Sequence, residues 1–342
     1  MKRSEFIKQT ALGTLAAGTV ISGFAPSEKE NYSPLSIGLC ADLHHDLIFD
    51  SKERLAAFIG DMVEFNPDFI IQLGDFCFPD PGNQTIMDVW NKFPGPSYHV
   101  IGNHDPEGGF TQDDVVKFWQ LNGKYYSFDM KGYHFIILNG NETNPAREIP
   151  LRYERYISDQ QLAWLEKDLA STVFPTIIFC HQGLDNNEGI ENAQRIRLAF
   201  EDANINAGFR KVQIVFTGHH HKDYHNVING IHYLQINSMS YHWQGDKYVD
   251  VSVFSDDLIK EYPHLRRMAY YREPLWAVAE ISANGLLTIR GRSTEFVGKS
   301  PRELGMPFYE YGYPVVPAIS NRKIQLTRKA FSEEKVANVN TR

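Results

Sequence analysis

The 342-residue chain has only three cysteines, Cys40, Cys77 and Cys180. An odd, low count excludes a disulfide-stapled scaffold. Each of the three ends an apolar run, where a buried thiol serves as a small hydrophobe. Long apolar runs are also missing: the most apolar stretch, about Ala11 to Ala25, falls short of the ~20 residues that a spanning helix needs. A basic excess is missing as well, since 42 acidic side chains against 34 Lys and Arg give a net charge of −8. Stable nucleic-acid binding normally requires a basic face, so nucleic acid is not expected as a partner. Acidity leaves a phosphorylated substrate open, because bound metal ions can supply local positive charge. Repeats and low-complexity tracts are absent too.

What is present is the composition of a globular protein with a sizeable core, 42% hydrophobic and 22% charged. Residues 1–25, "MKRSEFIKQTALGTLAAGTVISGFA", run from a basic start through small apolar residues to a polar break at Pro26 to Glu30. That is the layout of an export signal, so a periplasmic or extracellular protein is expected, with no stable membrane insertion once the signal is removed. "KRSEFIK" resembles the twin-arginine export pattern, with Ser4 where the second arginine would stand. Residues 34–317 read as one catalytic domain, and the polar residues 318–342 as a peripheral tail.

Short apolar strands alternate with helices along the middle of the chain. Strands are expected at 35–41, 68–74, 97–103, 175–181 and 211–219, and helices at 51–65, 111–123 and 158–171. Hairpins are expected around Lys131-Gly132 and Asn229-Gly230, and a further pair of strands turns at Ala283-Asn284-Gly285. This alternation predicts a layered α/β fold, two facing sheets covered by helices.

Polar clusters stand just beyond the apolar runs. "CADLHHD" offers Asp42 and His44, and "QLGDF" offers Asp75. "VIGNHD" offers Asn103, His104 and Asp105, "IFCHQG" offers His181, and "TGHHHKD" offers His219 and His221. Loops beyond strand carboxyl ends are where α/β folds build their sites, so all five clusters can converge on one edge. Imidazoles, carboxylates and an amide oxygen suit divalent Zn, Mn or Fe. Seven such ligands with one bridging carboxylate, best supplied by Asp75, suit two ions about 3.5–4 Å apart. Alternate side chains His219 and His221 can reach different ions, leaving His220 facing away.

These clusters, "DLH", "GDF", "GNHD", "CHQG" and "GHHH", resemble in order and spacing the motif set of the calcineurin-like metallophosphoesterases, across Asp42 to His221. The resemblance implies that Asp42, His44 and His221 hold one metal, that Asp75 bridges, and that Asn103, His181 and His219 complete the other. It also implies that His104 faces the substrate. In the expected mechanism Asp105 holds the His104 ring, and Asn103 is a further candidate to contact substrate. Tyr241 and Trp243 in "SMSYHWQGD" are further candidates to wall a pocket, where an aromatic ring can stack on a base or close over a lipid-like group. His45 and Asp46 are candidates to orient His44, and Gln182, Asn186 and Asn187 to touch substrate. Loops 80–96, 141–156 and 238–250 are expected to shape the pocket. The activity implied is phosphoester hydrolysis of a small molecule by water activated between two cations. A phosphomonoesterase is the first reading. The alternative is a phosphodiesterase or pyrophosphatase acting on cyclic nucleotides or nucleoside-diphosphate compounds, and a non-catalytic phospho-ligand module stands behind both. The oligomeric state is left open.

Overall fold

The computed structural model describes residues 32–149, 153–250 and 252–327. The export signal expected at 1–25 and the end of the expected tail, 328–342, lie outside the described residues.

In chain order the first strands are β1 (Leu35–Cys40), β2 (Phe69–Gln72), β3 (Ser97–His99), β4 (Tyr126–Met130) and β5 (Tyr133–Ile137). Then come β6 (Thr176–Cys180), β7 (Val212–Thr217), β8 (Tyr224–Ile228), β9 (Ile231–Gln235), β10 (Tyr241–Trp243) and β11 (Met268–Tyr270). The last are β12 (Ala277–Ile281), β13 (Leu286–Arg290), β14 (Tyr309–Glu310), β15 (Tyr313–Pro314) and β16 (Arg322–Gln325). The helices are α1 (Ser51–Phe65), α2 (Gln84–Trp90), α3 (Gln112–Phe118), α4 (Asp159–Ser171), α5 (Ala193–Ala207) and α6 (Asp256–Glu261).

Two six-stranded sheets result, ordered β16-β13-β12-β1-β2-β3 and β4-β5-β6-β7-β9-β8. In the first, β1, β2 and β3 run parallel while β12 lies antiparallel to β1. In the second, β5, β6, β7 and β9 are parallel, and the hairpins add β4 and β8 at the edges. This is the layered α/β sandwich the sequence predicts.

The strand period of two decides what goes where. Leu35, Ile37, Leu39, Phe69 and Ile71 of the first sheet meet Phe135, Ile137, Ile177, Phe179 and Phe216 of the second in one core. Phe135, Phe179 and Phe216 stack in sequence across it, with ring centroids 6.3 and 5.7 Å apart. The intervening residues face outward. Cys40 and Ile70 pack against α1 and α2, and Ile136, Ile178 and Val215 against α4 and α5. Strands buried on both faces need continuous apolar runs, which is why "LSIGLC" and "TIIFC" show no polar alternation.

Turn chemistry sets the hairpins. Lys131-Gly132 and Asn229-Gly230 both take left-handed backbone at both positions, as a two-residue turn requires. α3 starts as expected, with a reciprocal Thr111–Asp114 capping box. It stops at Phe118 rather than near Gly123, because Trp119 turns inward against Phe76 and His99 and Gln120 goes left-handed. Residues 318–327, read as tail from sequence, are not loose: β16 pairs with β13, and Ile319, Ile324 and Leu326 join the inter-sheet core. Among the described residues no helix is long and apolar enough to cross a membrane.

Candidate functional site

The five polar clusters do converge. Asp42 and His44 follow β1, Asp75 follows β2, and Asn103 and His104 lie beyond β3. His181 follows β6, and His219 and His221 follow β7. The carboxyl ends of parallel strands from both sheets therefore meet at one edge.

Two groups form there. Asp42, His44 and His221 bring one ligand atom each within 4.8 Å of one another, as do Asp75, His181 and His219. Each group draws on both sheets. His221 Nε2 lies 3.3 Å from Asp42 Oδ1, and His181 Nε2 lies 3.1 Å from Asp75 Oδ2. Asp75 Oδ2 is also 3.6 Å from His44 Nε2, which puts this carboxylate between the groups.

The imidazoles are aimed by the backbone. His181 donates Nδ1–H to the Leu73 carbonyl at 2.7 Å, and His221 donates Nδ1–H to the Tyr241 carbonyl at 2.8 Å. With Nδ1 engaged, each ring presents Nε2 to the centre, the arrangement that fixes a metal-ligating tautomer. Asp42 and Asp75 are tied in turn by the backbone N–H groups of His219 and His104.

The local backbone is under strain. Asp42, His44, Asp75, His219 and His221 all have φ between 50° and 77°, a conformation that costs a residue with Cβ roughly 1–2 kcal/mol. Such outliers persist where surrounding structure overrides them, and they mark functional sites. Gly74, at φ 99°, has a steric reason as well, since a Cβ there would run into the His181 ring.

The residues present fit divalent cations. Both side-chain polar atoms of Asn103 are buried without a hydrogen-bond partner, which is costly for groups that could otherwise pair. His44 and His221 point Nε2 atoms at each other 3.1 Å apart, where no more than one hydrogen can sit between them. Burial holds the pKa of His44 and His219 well below the ordinary imidazole value, keeping them in the neutral, metal-binding form. Burial acts the same way on His181, but Asp75 outweighs it and lifts the group to about 9. Asp75 is held well below the carboxylate range; burial opposes this, and the surrounding His181, His104 and His44 overcome it. The pocket favours positive charge beside Asp75.

A cavity of about 600 Å3 opens over these residues. His104 lines it without belonging to either group, its ring edge-on to His44 at 5.1 Å. Trp243 lines it and is 42% exposed. Tyr241 is buried, with its ring behind His44 and His221 at 5.2 and 4.9 Å, so it backs two of the grouped histidines. His220 joins neither group but lines the cavity wall rather than facing away. Of the expected wall loops, 141–156 contributes Tyr153 and Arg155, and 238–250 contributes Tyr241, His242 and Trp243, while 80–96 contributes nothing.

Several expectations need correcting. Asp105 does not hold the His104 ring: its buried carboxylate accepts from the backbone N–H groups of Gly102, Asp75 and Phe76 at 2.6, 3.0 and 2.6 Å. Burial, followed by the nearby Asp75, pushes its pKa up to about 8 despite those bonds. The ring is held instead by Glu107, whose Oε2 accepts from His104 Nδ1 at 2.9 Å. Nothing in the sequence marked Glu107 beyond its place in a Gly-rich turn. His45 bonds Ser51, and Asp46 accepts from Phe78 and Asn83, so neither orients His44. Gln182 is turned inward to Asn141, and Asn186 to Tyr224. The 310–311 hairpin, which also lines the cavity, was missed altogether.

A family model described as calcineurin-like phosphoesterase matches residues 35–223. Among curated proteins, the chain is similar to a 3′,5′-cyclic-nucleotide phosphodiesterase from Nostoc sp., 23% identical over 260 residues, covering 71% of this chain and 90% of that protein. It is also similar to a manganese-dependent ADP-ribose/CDP-alcohol diphosphatase from Arabidopsis thaliana, 23% identical over 206 residues, covering 46% of this chain and 66% of that protein. A solved dimetal phosphatase from Danio rerio shares the fold with a TM-score of 0.55 at 14% identity, over 77% of this chain and 99% of that one. The matched span covers more than half of the chain and contains all the grouped residues. The chain therefore belongs to the calcineurin-like phosphoesterase family, hydrolases of phosphoester bonds.

Proposed function

We propose that the chain hydrolyses a phosphodiester or diphosphate linkage in a nucleotide-sized compound. Asp42, His44 and His221 would hold one divalent cation, Asn103, His181 and His219 a second, and Asp75 would bridge. Mn, Zn and Fe all suit this donor set. The observation that carries the reading is the cavity. At about 600 Å3 it has room for a whole small-molecule ligand, and its walls add Arg155, Lys222 and Arg267 to the histidine floor. A diester or diphosphate carries groups on both sides of the reacting phosphorus, and a cavity of this size has room for both. The cyclic-nucleotide and diphosphate substrates in the names of the two curated relatives support the same side.

Two cations in such a site supply Lewis-acid charge and a water made nucleophilic near neutral pH. The chain's own residues do the rest. His104 stands beside the grouped ligands with Nδ1 tied to Glu107, so Nε2 is left to stabilise the phosphoryl group and donate a proton to the leaving oxygen. Tyr241 packs behind the His44 and His221 rings and limits their movement. Export to the periplasm or cell exterior is proposed from residues 1–25, and fractionation of cells expressing the full chain tests it.

The deciding assay is hydrolysis of paired chromogenic mono- and diester phosphates by metal-stripped protein, with Mn, Zn or Fe restored. The expected result is metal-dependent turnover favouring the diester and lost in Asp75→Asn. A preference for the monoester would return the reading to a phosphomonoesterase, and a protein that takes up no metal would end the two-cation mechanism.

A further inference from the structure

Lys222, next in the chain to His221, is buried and paired with Glu310 Oε2 at 2.7 Å. His242 Nε2 reaches the same oxygen at 3.4 Å. Glu310 belongs to the two-stranded ribbon β14–β15, in which Glu310 faces Tyr313 across a two-residue turn. Tyr313 stacks on Tyr224 with ring centroids 3.7 Å apart. Both feet of this ribbon are thus fastened to the segment that carries His219 and His221.

The tip is unusual. The turn residues are Tyr311 and Gly312, both left-handed, with φ of 54° and 87°. A turn of this kind favours Asn, Asp or Gly at its first position, because a Cβ is strained there. Here that position holds a tyrosine that is 65% exposed and lines the cavity. The Lys222 ammonium lies 5.0 Å from its ring centroid, which orients the ring. Trp243, 42% exposed, lines the same cavity. Two large aromatic side chains are thus left partly in water at the cavity, one of them on a strained backbone.

We propose that Tyr311 and Trp243 form a subsite for a planar heteroaromatic group, a nucleobase, attached to the phosphoester cleaved at the histidine floor. This rests on the hydrolase reading above and adds the class of substrate group. An alkyl chain fits less well, because Lys222, Glu310, His242 and Arg267 line the same cavity as the aromatic rings. Stacking is tolerant of base identity because every base has a π-face, so the subsite selects nucleotides as a class rather than one base.

The test compares Tyr311→Ala, Tyr311→Phe and Trp243→Ala with the parent protein on 3′,5′-cyclic AMP and on the ring-less diester glycerophosphocholine. Each Ala variant is expected to lose about tenfold more kcat/KM on the nucleotide than on the ring-less diester, mostly through KM, whereas the Phe variant keeps most of it. Tyr311→Asn is expected to weaken nucleotide binding while raising the melting temperature, because it relieves the turn. Equal losses on both substrates, or no loss on the nucleotide, would overturn the subsite. Calorimetric titration with AMP runs alongside. Tyr311-dependent AMP binding by a protein that turns over neither diester would sink the diesterase reading and keep the subsite, and AMP binding indifferent to Tyr311 would do the reverse.

Discussion

The His104 imidazole is fastened by Nδ1 to the Glu107 carboxylate, 2.9 Å away and three residues further along the chain. Its immediate neighbour Asp105 turns the other way and clamps the loops after β2 and β3 through three backbone N–H groups. Two carboxylates in one short loop thus serve different ends: one positions a ring at the cavity, the other builds the platform beneath it.

Glu107→Gln should lower kcat about tenfold while KM, metal content and melting temperature stay close to the parent values. His104→Ala should lower kcat by about 10²–10⁴-fold, the usual worth of a positioned acid. Steady-state kinetics with metal analysis on the same samples separates the two. Loss of metal from His104→Ala would mean that the ring is a ligand after all.

Asp105→Ala should destabilise the fold whether or not metal is bound. Three backbone donors would lose their acceptor inside the protein, each at about 1–3 kcal/mol. Urea denaturation of metal-stripped protein measures this directly. An unchanged midpoint would leave Asp105 without the structural role given to it here.

Metal uptake should follow the two groups. His221→Ala and His181→Ala should each leave roughly one ion per chain of the two expected, and Asp75→Asn should weaken both sites. Plasma emission spectrometry after dialysis reads the stoichiometry. Because a ligand that binds only the folded state adds RT ln(1 + [L]/Kd) to stability, a chelator should also lower the melting temperature of the parent and hardly that of Asp75→Asn.

On the outer face of the second sheet, His134 bridges Asp129 at 2.6 Å and Asp168 at 2.7 Å, tying the β4–β5 hairpin to α4. Burial disfavours its charge, but Asp168 and Asp129 outweigh that and raise its pKa. A group whose pKa is raised on folding contributes its full stability below the unfolded value, about 6.5, and loses it as pH climbs through the folded value. The parent should therefore be more stable than His134→Gln at pH 6, with the gap closing on the alkaline side. A gap that widens with pH would contradict the ion-pair account.

Removing residues 318–342 should unfold or badly weaken the protein, contrary to what a peripheral tail would do. It takes away the edge strand and three buried side chains, Ile319, Ile324 and Leu326. At about 1.5–3 kcal/mol for each apolar side chain, the loss is on the order of 5 kcal/mol. Thermal melts of the shortened chain settle it.

The two ligand groups were legible because each member is a polar residue placed directly after an apolar strand, and strand ends survive errors in strand length. β3 is only three residues long where seven were expected, yet His104 still lines the cavity beside His44. What stayed hidden depends on side-chain direction or on long-range pairing. Asp105 and Glu107 both neighbour His104, and only the loop's path decides which one meets the ring. β16 looked like tail because an edge strand has only Ile324 to bury and shows no alternation worth the name. The β14–β15 ribbon is two residues a side, too short for any period, and it reaches the cavity through pairing with residues almost ninety positions earlier, Lys222 with Glu310. α5 was overlooked because its apolar face, Ile196, Ala199 and Phe200, is thinly spaced among charged and amide residues.

The strand order has a consequence for the timing of synthesis. β4 to β9 form the second sheet from one unbroken stretch of chain, residues 126–235, so that layer can close while the rest is still being made. The first sheet cannot. β1 sits in its middle, with β2 on one side and β12 on the other, Leu35 matched to Ile281 and Leu39 to Ala277. The strand that delivers Asp42 and His44 therefore waits with one edge open until β12, Ala277–Ile281, has left the ribosome. Long-range pairings of this kind are slow to form and leave edges open to other chains meanwhile. A stall or truncation before residue 277 would leave that open edge exposed, and it would disarm residues encoded near the start of the chain.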